Sequence, residues 1–306
     1  MNRGIVLSVV IAVGSLSMAA GGYQGQGQQA PKVVEVVKVK DNLFMFTGGG
    51  GNTAVFVAAN GVVVVDTKNP GWGQPILDKI KTLTDKPVTM IINTHTHGDH
   101  VSGNVEFPAT VDIVAQENSK INMSKTTGPR DERVDIFKGD NAKFLPKRTF
   151  KDKMSLGSGK DRIDLYYFGR GHTNGDAWVV FPALGVVDAA DMFSGKNPPR
   201  LDPINGGSGL EYAQTLTKAV AGIKNVDTVI TGHSNTTMKW SDFVDYGEFN
   251  RLYLAAARDA LKAGKTPEQA AADFKLPETF KDYTITGGRG GPGGNFGPIF
   301  AELQKK

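Results

Sequence analysis

Cysteine is absent from this 306-residue chain. The absence excludes disulfides, a lipid attached through cysteine and any thiolate ligand for a metal. No long apolar run is present either. The most apolar stretch, residues 5–20, is interrupted by Gly14 and three serines and falls short of the ~20 residues that span a bilayer. Read with the positive start Met1-Asn2-Arg3 and the small residues around Ser17-Met18-Ala19, residues 1–20 are expected to be a secretory signal peptide. A membrane anchor is the alternative. Residues 21–32, polar and glutamine-rich, then read as a flexible lead-in, and the mature protein is expected in the periplasm or outside the cell with no remaining anchor.

Internal repeats and aromatic-interleaved basic stripes are also missing, which argues against a solenoid and against a nucleic-acid partner. The partner left is a small-molecule substrate; the sequence is silent on oligomeric state. The net charge of +4 is local: residues 120–153 hold ten Lys/Arg against five Asp/Glu. Such a segment is either a solvated face or a rim that attracts anions.

With 40% hydrophobic and 22% charged residues the chain can bury a full core. Short β-branched or aromatic runs bounded by Gly and Asn, at 33–39, 43–46, 54–58 and 62–65, predict an antiparallel meander. The turn Gly48-Gly49-Gly50-Gly51-Asn52 between two of them is expected to be mobile, either a flap or a tolerated turn. Residues 75–84 predict a helix and 88–93 a buried strand. A second series follows, with strands at 111–115, 163–168, 177–181, 186–190 and 226–231 and a helix at 210–223. Residues 241–274 are mostly helical by pattern, and a glycine-rich segment, 287–297, reads as a second flap or a disordered tail. The order predicts an α+β fold with two sheets flanked by helices. The expected division is a domain over 33–240 and a helical extension with a Gly-rich tail over 241–306, packed on the same domain.

Histidine is nearly as scarce as cysteine, and its five copies form one pattern: His95-Thr96-His97-Gly98-Asp99-His100, then His172 and His233. Each follows a predicted strand, where a rigid sheet can fix a loop. His95 and His97, one residue apart in an extended loop, project to the same side and can share a metal. Gly98 permits a turn that lets Asp99 and His100 point to a neighbouring position. Asp191 ends the strand begun at Val186, and Asp188 is the competing carboxylate.

On these residues the chain resembles the metallo-β-lactamase superfamily, whose signature is H-x-H-x-D-H followed by later His, Asp and His ligands. The resemblance covers roughly residues 40–233 and includes the apolar strand Val62-Val63-Val64-Val65 ending in Asp66. It implies a four-layer αββα sandwich. It also implies a first metal on His95, His97 and His172, a second on Asp99, His100 and His233, and Asp191 bridging them. Ala190 stands where many relatives have Gly before that Asp.

Imidazole and carboxylate without sulfur suit zinc, two ions being expected, with iron or manganese possible in related sites. Two ions about 3.5–4 Å apart can hold a bridging hydroxide, and their residual charge of about +1 would stabilise an anion formed at a carbonyl or phosphoryl centre. The chemistry expected is hydrolysis, with Asp99 both a ligand and the residue that orients the nucleophile or passes a proton. The substrate is open. A true β-lactamase is one alternative and a non-haem iron dioxygenase of the same fold another; a metal-binding protein without catalysis is disfavoured by Asp99. Lys196, in the loop 194–209, either binds a substrate carboxylate or is an ordinary loop lysine.

Overall fold

In the computed structural model the described residues are 32–125, 136–285 and 295–305. The expected signal peptide and most of the glycine-rich segment 287–297 lie outside them, as does part of the basic segment. Four strands open the chain: β1 (Glu35–Lys40), β2 (Leu43–Thr47), β3 (Thr53–Ala58) and β4 (Gly61–Val65). Helix α1 (Gly73–Lys81), β5 (Val88–Asn93) and the single-turn α2 (Gly98–Val101) follow, then β6 (Asp112–Gln116), α3 (Glu117–Met123) and β7 (Arg148–Phe150). The second half contains β8 (Lys153–Leu156), β9 (Ile163–Tyr166), β10 (Trp178–Phe181), β11 (Val186–Ala190), α4 (Gly209–Gly222), β12 (Thr228–Thr231), β13 (Met238–Lys239), α5 (Trp240–Lys262), α6 (Pro267–Asp273) and α7 (Phe296–Leu303).

Strands β1 to β7 lie side by side in chain order, antiparallel through β4 and parallel from there on. The second sheet runs β13-β12-β11-β10-β9-β8, with β11 and β12 parallel. Side chains alternate across each strand, and that alternation builds the layers. Val63 and Val65 of β4 face Val179 and Phe181 of β10 in the cluster between the sheets. Val62 and Val64 turn the other way, onto Ile76 and Ile80 of α1. Trp178 and Val180 turn outward to Leu216 of α4 and Phe243, Tyr246 and Phe249 of α5. Three apolar clusters separate four layers, so the fold is the αββα sandwich. Each large side chain so buried contributes about 1.5–3 kcal/mol.

Helix α5 starts where the Asp242 carboxylate accepts the Lys239 backbone N–H at 3.0 Å, and α6 where Thr266 and Gln269 cap one another ahead of Pro267. No helix among the described residues is long and apolar enough to cross a membrane. Strands β7, β8 and β13 have no counterpart in the sequence-based expectation. They are two to four residues long, too short for a period of two to register.

This topology places the site. In the first sheet β4 and β5 are parallel, in the second β11 and β12 are, and the segments leaving their C-terminal ends carry Asp66, His95, Asp191 and His233.

Candidate metal centre

The five histidines, Asp99 and Asp191 meet at one place. His95, His97, His172 and Asp191 each offer an atom within 4.8 Å of the others, and so do Asp99, His100 and His233. A third overlapping group, Asp66 with His95 and His100, has a different origin, described below. Asp188 belongs to none of the three. It is buried on β11, where its Oδ1 accepts the Ala190 N–H at 3.0 Å and burial pushes its carboxyl well above the usual range.

Hydrogen bonds fix which nitrogen four of the imidazoles present. Asp202 Oδ2 accepts from His97 Nε2 at 2.7 Å, leaving Nδ1 to face His172. The Arg200 carbonyl accepts from His172 Nδ1 at 2.8 Å, leaving Nε2. Asp66 Oδ2 accepts from His100 Nδ1 at 2.7 Å and from the Thr94 hydroxyl at 2.5 Å. The Thr94 proton is thereby committed to Asp66, so its oxygen accepts from His95 Nδ1 at 3.0 Å and His95 also presents Nε2. Asp66 thus holds His100 directly and His95 through Thr94, as the outer partner that ligating histidines require. That is why it falls in the third group: its oxygens are spent on orientation.

Four of the buried side-chain polar atoms that lack a hydrogen-bond partner among the described residues lie here: His95 Nε2, His100 Nε2, His233 Nε2 and Asp191 Oδ1. Buried polar atoms are seldom left this way, and four facing one another fit a divalent cation. Asp191 reaches both groups. Its Oδ1 lies 3.0 Å from His233 Nε2 and 3.4 Å from His100 Nε2, and its Oδ2 3.5 Å from His172 Nε2. Burial opposes its charge, yet the facing His233 and His100 hold the carboxyl well below the usual range. Burial also depresses His95 well below the usual imidazole value and His172 to about 3, keeping both neutral as ligands must be. His100 moves the other way: Asp99, Asp66 and Asp191 outweigh its burial and raise it well above the usual value.

The backbone bends to allow this. Ala190 sits at φ 43° and ψ −132°, a sparsely populated conformation for a residue with a Cβ, at a cost on the order of 1–3 kcal/mol. Tyr212 on α4 secures the turn behind it, donating to the carbonyls of Asp191 and Met192 at 3.2 Å each. Side-chain exposures of 24% for His97, 19% for Asp99, 26% for His233 and 27% for Arg200 put the mouth of the site on their side.

Arg200 was not singled out from sequence, and neither was Asp202. Arg200 Nη1 lies 3.1 Å from Asp191 Oδ2 at the mouth. Lys196, the sequence-based candidate for a substrate carboxylate, is spent elsewhere: Nζ pairs with Asp282 at 2.6 Å and Asp242 at 3.0 Å, fastening the loop to the C-terminal segment. The turn 48–52 lies against this site. It is pinned by Gly51 N to the Asp99 carbonyl at 2.9 Å and Asn52 N to the Gly232 carbonyl at 2.7 Å.

The metallo-beta-lactamase superfamily profile matches residues 46–243. A type 2 metallo-beta-lactamase of Elizabethkingia meningoseptica is 29% identical over 246 residues, covering 74% of this chain and 87% of the relative. A hydroxyacylglutathione hydrolase of Crocosphaera subtropica is 27% identical over 158 residues, 51% of this chain and half of that protein. Among solved structures, a metallo-beta-lactamase from Pontibacter korlensis superposes with a TM-score of 0.59 at 18% identity, over 72% of this chain and 99% of that one. The inverting sec-alkylsulfatase Pisa1 from a Pseudomonas species gives 0.68 at 15% identity, over 88% of this chain and half of its own length. The profile spans well over half the chain and the sandwich holds a His/Asp cluster at its mouth, so this protein belongs to the metallo-beta-lactamase superfamily of hydrolases.

Proposed function

We propose that this chain is an exported, zinc-dependent hydrolase with a dinuclear centre, acting on a small substrate that bears an anionic group. The observation that carries the reading is Asp191, whose two oxygens face the two imidazole sets from a buried position. His95, His97 and His172 would hold one ion, Asp99, His100 and His233 the other, and Asp191 both. Such a pair of ions supplies Lewis acidity and water ionised near neutral pH. The chain's part is to keep His95 and His172 neutral, hold Asp99 ionised at the mouth and place the Arg200 guanidinium where a carboxylate, sulfate or phosphate can meet it. Export rests on the sequence of residues 1–20, and periplasmic or secreted protein lacking that segment would agree with it.

The matched proteins cleave different bonds by name, so the substrate class is tested by a panel: a chromogenic cephalosporin, an acylglutathione thioester and a secondary alkyl sulfate, against His95→Ala protein. Turnover of one class, lost in His95→Ala, with two zinc per chain by elemental analysis, is the expected result. Dependence on one iron with oxygen consumption would sink the hydrolytic reading. Cephalosporin turnover would assign a β-lactamase, the reading that the Elizabethkingia relative favours.

The histidine charges predict how metal uptake depends on pH. In metal-stripped protein His100 carries a proton above its ordinary pKa, which an ion must displace, whereas His95 and His172 are already neutral. Raising the pH therefore favours the second ion more than the first, in titrations of stripped protein followed by calorimetry. Equal pH dependence of both steps would refute it.

A further inference from the structure

We propose that Lys68 is a positioning residue for the Asp99–His100–His233 half of the centre, acting through the glycine strap 48–52. The proposal rests on the dinuclear reading above and adds to it the frame that separates one half-site from the other.

Lys68 has the only ammonium or guanidinium group whose residue is fully buried among the described residues, at 0% exposure. An amine is sequestered this way only where its donors are engaged. Nζ donates to the Gly51 carbonyl at 2.6 Å and to the Phe46 carbonyl at 2.9 Å, gripping the strap and the strand that leads into it. Its backbone is anchored to the metal-binding turn: the Lys68 carbonyl accepts Gly103 N at 3.2 Å, Lys68 forms a β-bridge with Val101, and the neighbouring Thr67 N donates to the His100 carbonyl at 2.6 Å. To do this Lys68 adopts φ 68°, a left-handed conformation that a lysine holds only when its surroundings insist.

The strap in turn touches the ligands of one half-site. Gly51 lies flat on His100, and a Cβ added there would stand 2.2 Å from the imidazole Cε1 and 2.3 Å from Nε2. Gly51 N donates to the Asp99 carbonyl. Next along, Asn52 donates to the carbonyls of Thr231 at 2.8 Å and Ser234 at 2.7 Å, on either side of His233. One strap therefore bears on Asp99, His100 and the His233 loop, and Lys68 keeps it seated.

The experiment is metal titration of stripped full-length protein, with cobalt as a spectroscopic probe. Lys68→Met keeps the length and loses the donors; it should weaken the second ion by about 10- to 100-fold, the effect of removing an outer partner, and leave the first unchanged. The visible cobalt band that grows with the second equivalent should shift or vanish. Gly51→Ala, which drives a methyl into the His100 ring while retaining Lys68, should give the same selective loss and serves if Lys68→Met fails to fold. Two ions bound with wild-type affinity in Gly51→Ala or in a folded Lys68→Met would overturn the proposal. Equal weakening of both ions would also overturn it, since that marks a general fold defect. Wild-type protein taking up a single ion would remove the dinuclear reading itself and the proposal with it.

Discussion

Asp191→Asn is expected to lower turnover by about 10²- to 10³-fold, the scale on which a preorganised electrostatic group acts. Asparagine matches aspartate in shape and keeps one oxygen, so the loss isolates the charge and the second oxygen. Both matter here. Oδ1 faces His233 and His100, Oδ2 faces His172 and the Arg200 guanidinium, and the residue is buried where no solvent can substitute. An amide would turn its NH₂ toward either an imidazole nitrogen whose lone pair a bound ion would occupy or the Arg200 guanidinium, which only donates, so it would find no acceptor. The control lies three residues back, on the strand that leads to Asp191. Asp188 is also buried, but it belongs to none of the ligand groups, and burial raises its carboxyl where the facing histidines lower that of Asp191. Asp188→Asn is a near-isosteric change outside every ligand group and should leave turnover close to wild type. Steady-state kinetics on both variants, with melting curves to show that each folds, decide the matter. Comparable losses, or the larger one at Asp188, would move the shared carboxylate off Asp191.

That choice between two carboxylates shows what a linear sequence can carry. The spacing His95, His97, Asp99, His100 is local, so its chemistry is legible without a fold. So are the continuous apolar runs 62–65 and 177–181, which mark strands buried on both faces and hence sheets covered on both sides. Asp191 and Asp188 are separated only by the strand's last residues, where Ala190 takes a positive φ and throws Asp191 toward the histidines; no pattern announces that bend. Asp202 and His97 are 105 residues apart, and Arg200 meets Asp191 from a loop of no regular structure. Lys68 in sequence is a lysine after a strand, indistinguishable from any solvated one. The glycine strap invited a reading as a flap because glycine permits motion; here it permits closeness, since any side chain at Gly51 would occupy the space of His100. Hydrogen-bond partners of ligands are chosen by tertiary approach, and those are the residues the sequence conceals.

Asp99→Asn tests the residue on which catalysis beyond metal binding is expected to depend, and the loss in kcat should be about 10²- to 10⁴-fold with KM little changed. Asp99 stands in the first turn of α2, with its backbone carbonyl tied to Gly51 and its Oδ2 3.6 Å from His233 Nε2. With 19% of its side chain exposed, it is the carboxylate of the ligand set that can meet a substrate at the mouth; Asp191 is sealed beneath it. Burial works against its ionisation, but His100, His233 and His97 outweigh that and hold the carboxyl below its ordinary value. A depressed carboxylate keeps its charge above the ordinary value and loses it only as the pH falls through the lowered one. Between about pH 5 and 8 Asp99 is therefore ionised throughout, well above the ordinary carboxylate range. The ratio of wild-type to Asp99→Asn rates should then be flat across that window, whatever other groups shape each profile. A ratio that shrinks toward pH 5 would mean that Asp99 takes up its proton within the window and is not held ionised. A loss under tenfold at constant metal content would leave Asp99 a ligand only and assign proton transfer to another group at the mouth.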